Sequence, residues 1–457
     1  MKIWINKCND EEPSEEYKDA YIFSLKRKDY STVFTNLNDV WLMMGKKEIP
    51  ALNEDLFIIG LSIFAIDKRI SRDKTFSRWT RDIEVSVPVI VLEKWSTVRE
   101  EWESILSFLT GDKWKIIFRK TDELFSKRKR TSRKKIDVSQ CSCVSLFSGG
   151  LDSFCGAIDL LNHGEKPCLL GHNEYPQLRK KQDKICKMFR EEYPEQKCTF
   201  ISFTANSRAP YNLGGRLEGS ENTSRGRSLL FFCSAVTIAG IIGEGTPIYV
   251  PENGFIGLNI PLTNSRKGTC STRTTHPYFI KNFNMLISKV GIQHQIINFF
   301  AFKTKREIVK KVMESPAFYR GAQKTISCAH PCLPRYKKEG DKTYPKNCGY
   351  CYPCLIRKSS LLDISECNGI YSQSELTLDF LNNNIKSDTT NDFIALMSSV
   401  HRYLSLDENE LKRLIKCTGH LEKEEVDKFL PVYQNTMEDL IELFSKDHEL
   451  KKYIGIE

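Results

Sequence analysis

Residues 143–161 read CVSLFSGGLDSFCGAIDLL, and the hexad Ser148-Gly149-Gly150-Leu151-Asp152-Ser153 inside them decides the fold. A stiff apolar run, 143–147, ends on two glycines, and an apolar stripe at helical spacing follows in Phe154, Ala157, Ile158 and Leu161. A strand therefore gives way to a helix through a glycine turn. Glycine tolerates positive φ and close approach of a ligand, so consecutive N–H groups can converge on one anion. The helix adds its own free N–H groups and the positive end of its dipole. Asp152 or Ser153 is expected to cap it, and Gly164 to end it. The loop is thus a candidate phosphate cradle. It lacks the GK[ST] ending of a Walker loop, which disfavours a P-loop kinase or GTPase.

Working outward, strand-like segments (143–147, 167–171, 198–203, 247–250, 294–300) alternate with helical ones (152–162, 177–193, 228–242, 305–313). Such alternation predicts an α/β fold, a parallel sheet with helices on both faces and its ligand beyond the carboxyl ends of the strands. Upstream, strand patterns at 83–92 and 114–118 mix with helical ones at 55–66 and 97–109, read as an α+β unit. The predicted organisation is an N-terminal α+β domain (1–126), a basic linker (127–137), the sheet domain (138–375) and a C-terminal helical region (376–457). Pro431 is expected to break or kink the last.

A length of 457 residues predicts two or three domains, and 40% hydrophobic with 28% charged residues reads as globular. The net charge of +10 suggests an anionic ligand or partner, and seven of the nine residues at 127–135 are basic. They read as a solvated linker or as a nucleic-acid or nucleotide contact. The N-terminus lacks a signal-peptide core, and the longest apolar run, 56–66, is too short to span a bilayer. A cytoplasmic location with no membrane partner is expected. Sixteen cysteines there argue for buried thiols, such as Cys155, Cys186 and Cys233, and for a metal site, rather than for disulfides.

That metal site is visible at 347–357 (NCGYCYPCLIR), where Cys348, Cys351 and Cys354 can wrap one tetrahedral ion. The 327–332 segment, SCAHPC, offers Cys328, His330 or Cys332 as a fourth ligand. Zinc is the natural ion, although iron–sulfur clusters use similar spacing. Other candidates carry two readings. Arg225 and Arg227 reach phosphate or are an ordinary helix start; Lys305 and Arg306 read as surface charges. Glu252, Asn253 and Asn259 suit a purine-like edge or belong to a turn-rich loop. Arg273 pairs with a substrate carboxylate and His276 moves a proton, or His276-Pro277 simply starts a helix.

The SGGLDS hexad resembles the pyrophosphate-binding loop of the PP-loop ATP pyrophosphatases. With the late CGxCxxCxxR cluster, the 138–362 region is similar to the 7-cyano-7-deazaguanine synthase (QueC) family, and most like its QueC-like members in anti-phage operons, the QatC component of the Qat system. The resemblance implies ATP, Mg2+ and Zn2+ as cofactors, with Ser148, Gly149, Gly150 and Ser153 on phosphate, and Asp152 orienting the loop or the magnesium ion. It further implies nucleotide contacts around His172 and Cys328 as the fourth zinc ligand. The activity implied is adenylation of a 7-deazapurine carboxylate and its transfer to an amine, releasing AMP and pyrophosphate. That amine is ammonia or belongs to a partner protein from the same defence operon. The family's DYSGYPDCR-like substrate segment is absent, which leaves the exact substrate open. Competing readings are a PP-loop enzyme that modifies transfer RNA and a catalytically silent scaffold.

Overall fold

The first 120 residues contribute strands β1 (Lys2–Asn6), β2 (Tyr21–Ser24), β3 (Val33–Thr35), β4 (Asp82–Val89) and β5 (Lys113–Lys120). Four of them pair in parallel in the order β2-β1-β4-β5. The expected α+β unit is therefore corrected to a parallel, α/β arrangement. The sequence reading missed β1 and β2, which are short and supply the parallel partners. The computed structural model describes the chain except for residues 8–10, 26–30, 47, 76–77, 127–133, 174, 213, 218, 222–224, 263–272, 333–343, 365–369, 386–389 and 457. Most of the basic linker lies outside the described residues.

The central region carries β6 (Cys143–Leu146), β7 (Pro167–His172), β8 (Thr199–Phe203), β9 (Ala205–Ser207), β10 (Tyr211–Asn212), β11 (Gly215–Arg216), β12 (Ile248–Tyr249) and β13 (Ile296–Ile297). Its sheet runs β13-β12-β6-β7-β8 and is parallel throughout. Chain order reverses between β6 and β12, the kind of position at which open α/β sheets form a ligand crevice. Side chains alternate between the faces as strand geometry requires. Leu169 and Phe147 pack with helices Leu151–Asn162, Pro176–Glu192 and Lys305–Val312. Val144, Cys168 and Leu170 face the opposite core.

That opposite core is shared with the N-terminal region. Helix Ala51–Arg69 and helix Gly226–Ile242 lie together in it, both apolar on nearly every side, as a helix buried all round must be. Gly60 lets them approach closely, because a Cβ there would sit 2.7 Å from Cys233 Sγ. Residues 205–216 add a second stitch, with β9 antiparallel to β3 and β10 antiparallel to β2. The stretch to residue 126 thus shares one hydrophobic core with the central sheet. No described helix is long and apolar enough to cross a membrane.

The C-terminal region is helical as expected. Its longest helix, Lys423–Phe444, continues through Pro431 instead of breaking there. Phe429, Tyr433 and Met437 on it pack against Phe255 and Leu258 of the short helix Gly254–Leu258. The helical region therefore supports the segment that follows β12.

Candidate anion loop and metal centre

β6 ends at Leu146, and residues 147–150 turn the chain into helix Leu151–Asn162. Gly149 has φ +84°, a conformation that side chains with a Cβ resist, so the second residue of the SGG triplet is a backbone requirement. The N-cap is Gly150, with no side-chain cap. The expected cap by Asp152 or Ser153 is thus corrected, because both side chains lie inside the first turn and bond elsewhere. Ser153 Oγ donates to the Gly150 carbonyl at 3.0 Å and meets Ser148 Oγ at 3.2 Å. Ser148 is exposed, and its Oγ accepts from Gly150 N–H at 3.3 Å. From helix Pro176–Glu192, buried Gln182 donates Nε2 to the carbonyls of Phe147 (3.0 Å) and Ser148 (3.1 Å). Pinning those carbonyls orients the loop peptides before any ligand arrives.

Asp152 faces a buried polar cluster. Its Oδ2 accepts from Lys305 Nζ at 2.7 Å and from Asn253 Nδ2 at 2.9 Å. The Lys305 and Asp152 side chains are only 4% and 10% exposed, so the pair is buried. Lys305 is therefore not the surface charge that its sequence position suggests. It opens helix Lys305–Val312 at a Thr304-Glu307 capping box, which turns its side chain inward toward helix Leu151–Asn162. Asn253 also accepts from Ile256 N–H through Oδ1, capping helix Gly254–Leu258, and its Nδ2 lies 3.3 Å from Glu252 Oε1. Glu252 is only partly covered, yet burial of its carboxyl first, and then the negative charge of Asp152, hold it well above the usual carboxylate range. Asp152 Oδ1 is buried and meets no N–H donor among the described residues, and the Glu252 carboxyl hydrogen-bonds to Asp152 when it carries its proton. Two carboxyl groups in contact with each other thus sit beside the first turn of the helix. This donor set fits a divalent cation of hard character.

The remaining candidates are placed elsewhere. Asn259 ends helix Gly254–Leu258 in the left-handed region, φ +55°. His172 ends β7 with its ring 5.0 Å from Phe203 and 6.3 Å from Phe64, among apolar groups. Arg225 donates to the Thr110 carbonyl, and Arg227 is exposed on the first turn of its helix. That helix starts where it does because Asp67, itself bound by Arg81, accepts Gly226 N–H at 2.8 Å. Arg273 lies 5.2 Å from the Phe108 ring. His276 is fully buried and takes its alternative role: Nδ1 accepts from Tyr278 N–H as the N-cap of helix Pro277–Val290, while Nε2 meets Thr418 Oγ1 at 3.0 Å. Burial first, then the charge of Arg273, push its pKa down to about 3. Both ring nitrogens are engaged, so the expected proton transfer by His276 is corrected to a structural function. The contacts of Arg273 and His276 run to residues 108 and 418.

The cysteines converge as predicted. The sulfurs of Cys328, Cys348, Cys351 and Cys354 all lie within 4.8 Å of one another. Cys328 and Cys351 are 3.8 Å apart, and Cys348 and Cys354 3.9 Å. Four thiolates about 2.3 Å from one tetrahedral ion stand about 3.8 Å apart, a spacing that these two pairs already have, so the cluster could hold zinc. Backbone N–H groups of Ala329, His330, Cys348 and Cys351 point at the sulfurs from 3.3 to 3.4 Å, the outer shell that such a site needs. The fourth cysteine of the cluster is Cys328; Cys332 and the exposed His330 are not in it. Cys155, Cys186 and Cys233 are buried, as core residues should be. No family model matches the chain, and no curated protein matches it in sequence.

Proposed function

We propose that this chain is a QueC-like, ATP-dependent enzyme of anti-phage defence. It adenylates a 7-deazapurine carboxylate and transfers it to an amine, with a partner protein from the same operon as the favoured acceptor. One observation carries the reading: the SGG turn, at the point where strand order reverses, opens a helix whose first turn holds the buried Asp152–Lys305 pair. Backbone amides of Gly149 and Gly150 and the Ser148 and Ser153 hydroxyls would bind the phosphates, the Leu151 amide being held by Ser327. Asp152 Oδ1 and Glu252 would hold a magnesium ion. When bound, ATP supplies an electrophilic phosphorus, and the metal and loop amides stabilise the charge that grows on pyrophosphate. Lys305 keeps Asp152 in place, and the tetracysteine ion has no open position and is structural.

The test is intact-mass measurement of the neighbouring operon proteins co-expressed with the wild type and with Asp152→Ala. A mass gain equal to a deazapurine acyl group, lost in the variant, supports the reading; no gain with any neighbour and no pyrophosphate release would remove it. Transfer-RNA modification is the second reading. It draws on the exposed cations Arg179, Lys180, Lys184 and Lys187 of the helix that carries Gln182. It requires RNA binding that falls steeply with salt.

A further inference from the structure

Residues 325–328 run between the anion loop and the cysteine cluster, and hydrogen bonds along them reach to both sides. On the loop side, Ile326 N–H donates to the Gly149 carbonyl at 2.9 Å, and Ser327 Oγ accepts from Leu151 N–H at 2.9 Å. On the cysteine side, Asn347, the neighbour of Cys348, accepts from Ser327 N–H at 2.9 Å and donates to the Thr325 carbonyl at 3.2 Å. Arg357, one turn beyond Cys354 and fully buried, donates to Thr325 Oγ1 at 2.6 Å and to the Ala322 carbonyl at 2.9 Å. Cys328 itself follows Ser327 directly and is a member of the cluster.

The clamp has a directional consequence. In a trans peptide the C=O and N–H vectors point to opposite sides. Holding the Gly149 oxygen on the Ile326 side turns the Gly150 N–H the other way, toward exposed Ser148, where that N–H is in fact bonded. The anchors of the 325–328 segment are themselves neighbours of metal ligands. Asn347 adjoins Cys348 and Arg357 lies one turn beyond Cys354, so an ion held by the cysteines would restrain the anchors of the Gly149–Gly150 peptide.

We propose that Ile326 and Ser327 are positioning residues that couple occupancy of the tetracysteine site to the anion-binding conformation of residues 148–151. The inference rests on the reading of that loop as a pyrophosphate site. By linkage the coupling is reciprocal: whatever the metal contributes to anion affinity, a bound anion returns to metal retention.

The experiment follows zinc transfer from the full-length, zinc-loaded protein to a chromophoric chelator, with and without saturating inorganic pyrophosphate. Pyrophosphate binding is measured separately by calorimetry. In the wild type, pyrophosphate should slow zinc release by about five-fold, the lower end of ordinary coupling between sites. Ile326→Pro, which removes the N–H donor and leaves the cysteines intact, should abolish the slowing at unchanged zinc content. Ser327→Ala should reduce it, and decides the matter if the proline variant does not fold. If pyrophosphate binds but zinc release is unaffected, or both variants slow it as the wild type does, the coupling is refuted while the anion site stands. If pyrophosphate does not bind the zinc-loaded protein, the anion site and the coupling fall together.

Discussion

Lys305→Met offers the sharpest test of the buried cluster, since methionine keeps the length of the side chain and deletes only its charge and donors. The Nζ–Oδ2 separation is 2.7 Å, which at an effective dielectric of about 20 corresponds to a gross attraction of about 6 kcal/mol. Desolvation of two nearly inaccessible groups cancels much of that gain in the intact protein. The variant does not recover the desolvation cost, because Asp152 stays buried and loses the cation that balances its charge. Removing one partner of such a pair costs about 3–5 kcal/mol. Urea unfolding at pH 7, followed by tryptophan fluorescence, should show this loss for Lys305→Met. The double variant Asp152→Asn/Lys305→Met should recover most of it, because no unpaired charge remains. Losses under about 1 kcal/mol for the single change, the behaviour of a solvent-exposed pair, would refute the burial argument.

Three further outcomes follow from the same geometry. His276 has a folded pKa of about 3, below the ordinary 6.5, so it adds stability above pH 6.5 that is lost as pH falls toward 3, by up to about 1.4 kcal/mol per pH unit. His276→Asn keeps an N-cap acceptor and should flatten the difference between urea midpoints at pH 7 and pH 5; an unchanged slope would contradict the assignment. Glu252 is shifted upward, so ionisation in the unfolded chain alone weakens the fold above pH 4.5. Glu252→Gln should therefore be more stable than the wild type at pH 8 and lose that advantage as pH falls through 4.5, while its pyrophosphate release with magnesium drops. Metal analysis should find one zinc per chain in the wild type and in Cys332→Ser, and none in Cys351→Ser, whose thermal unfolding should occur at lower temperature.

The elements around the loop were legible because each is specified locally. Apolar runs of strand length, the glycine pair and the apolar stripe from Phe154 to Leu161 report short-range backbone and burial preferences, and those are written residue by residue. Cys348, Cys351 and Cys354 were legible for the same reason, since their spacing is itself the geometry. Cys328 was one of three choices until folding brought it within 4.8 Å of the others. His276 shows the reverse case: the His-Pro pair already carried the N-cap reading, and burial against Thr418, 142 residues away, decided for it.

By itself the sequence determined an α/β chain with a parallel sheet, a glycine turn at the end of its first strand, a three-cysteine knuckle and a helical C-terminal region. Only the tertiary structure decided that the N-terminal strands are parallel, that helix Ala51–Arg69 shares a core with the central sheet, and that Lys305 is buried. It also decided that residues 325–328 link the cysteines to the loop. The physical reason is range. A turn or a metal knuckle is fixed by neighbours a few residues away, whereas the environment of a charge such as Lys305 depends on Asp152, 153 positions earlier, and on the packing that brings their helices together.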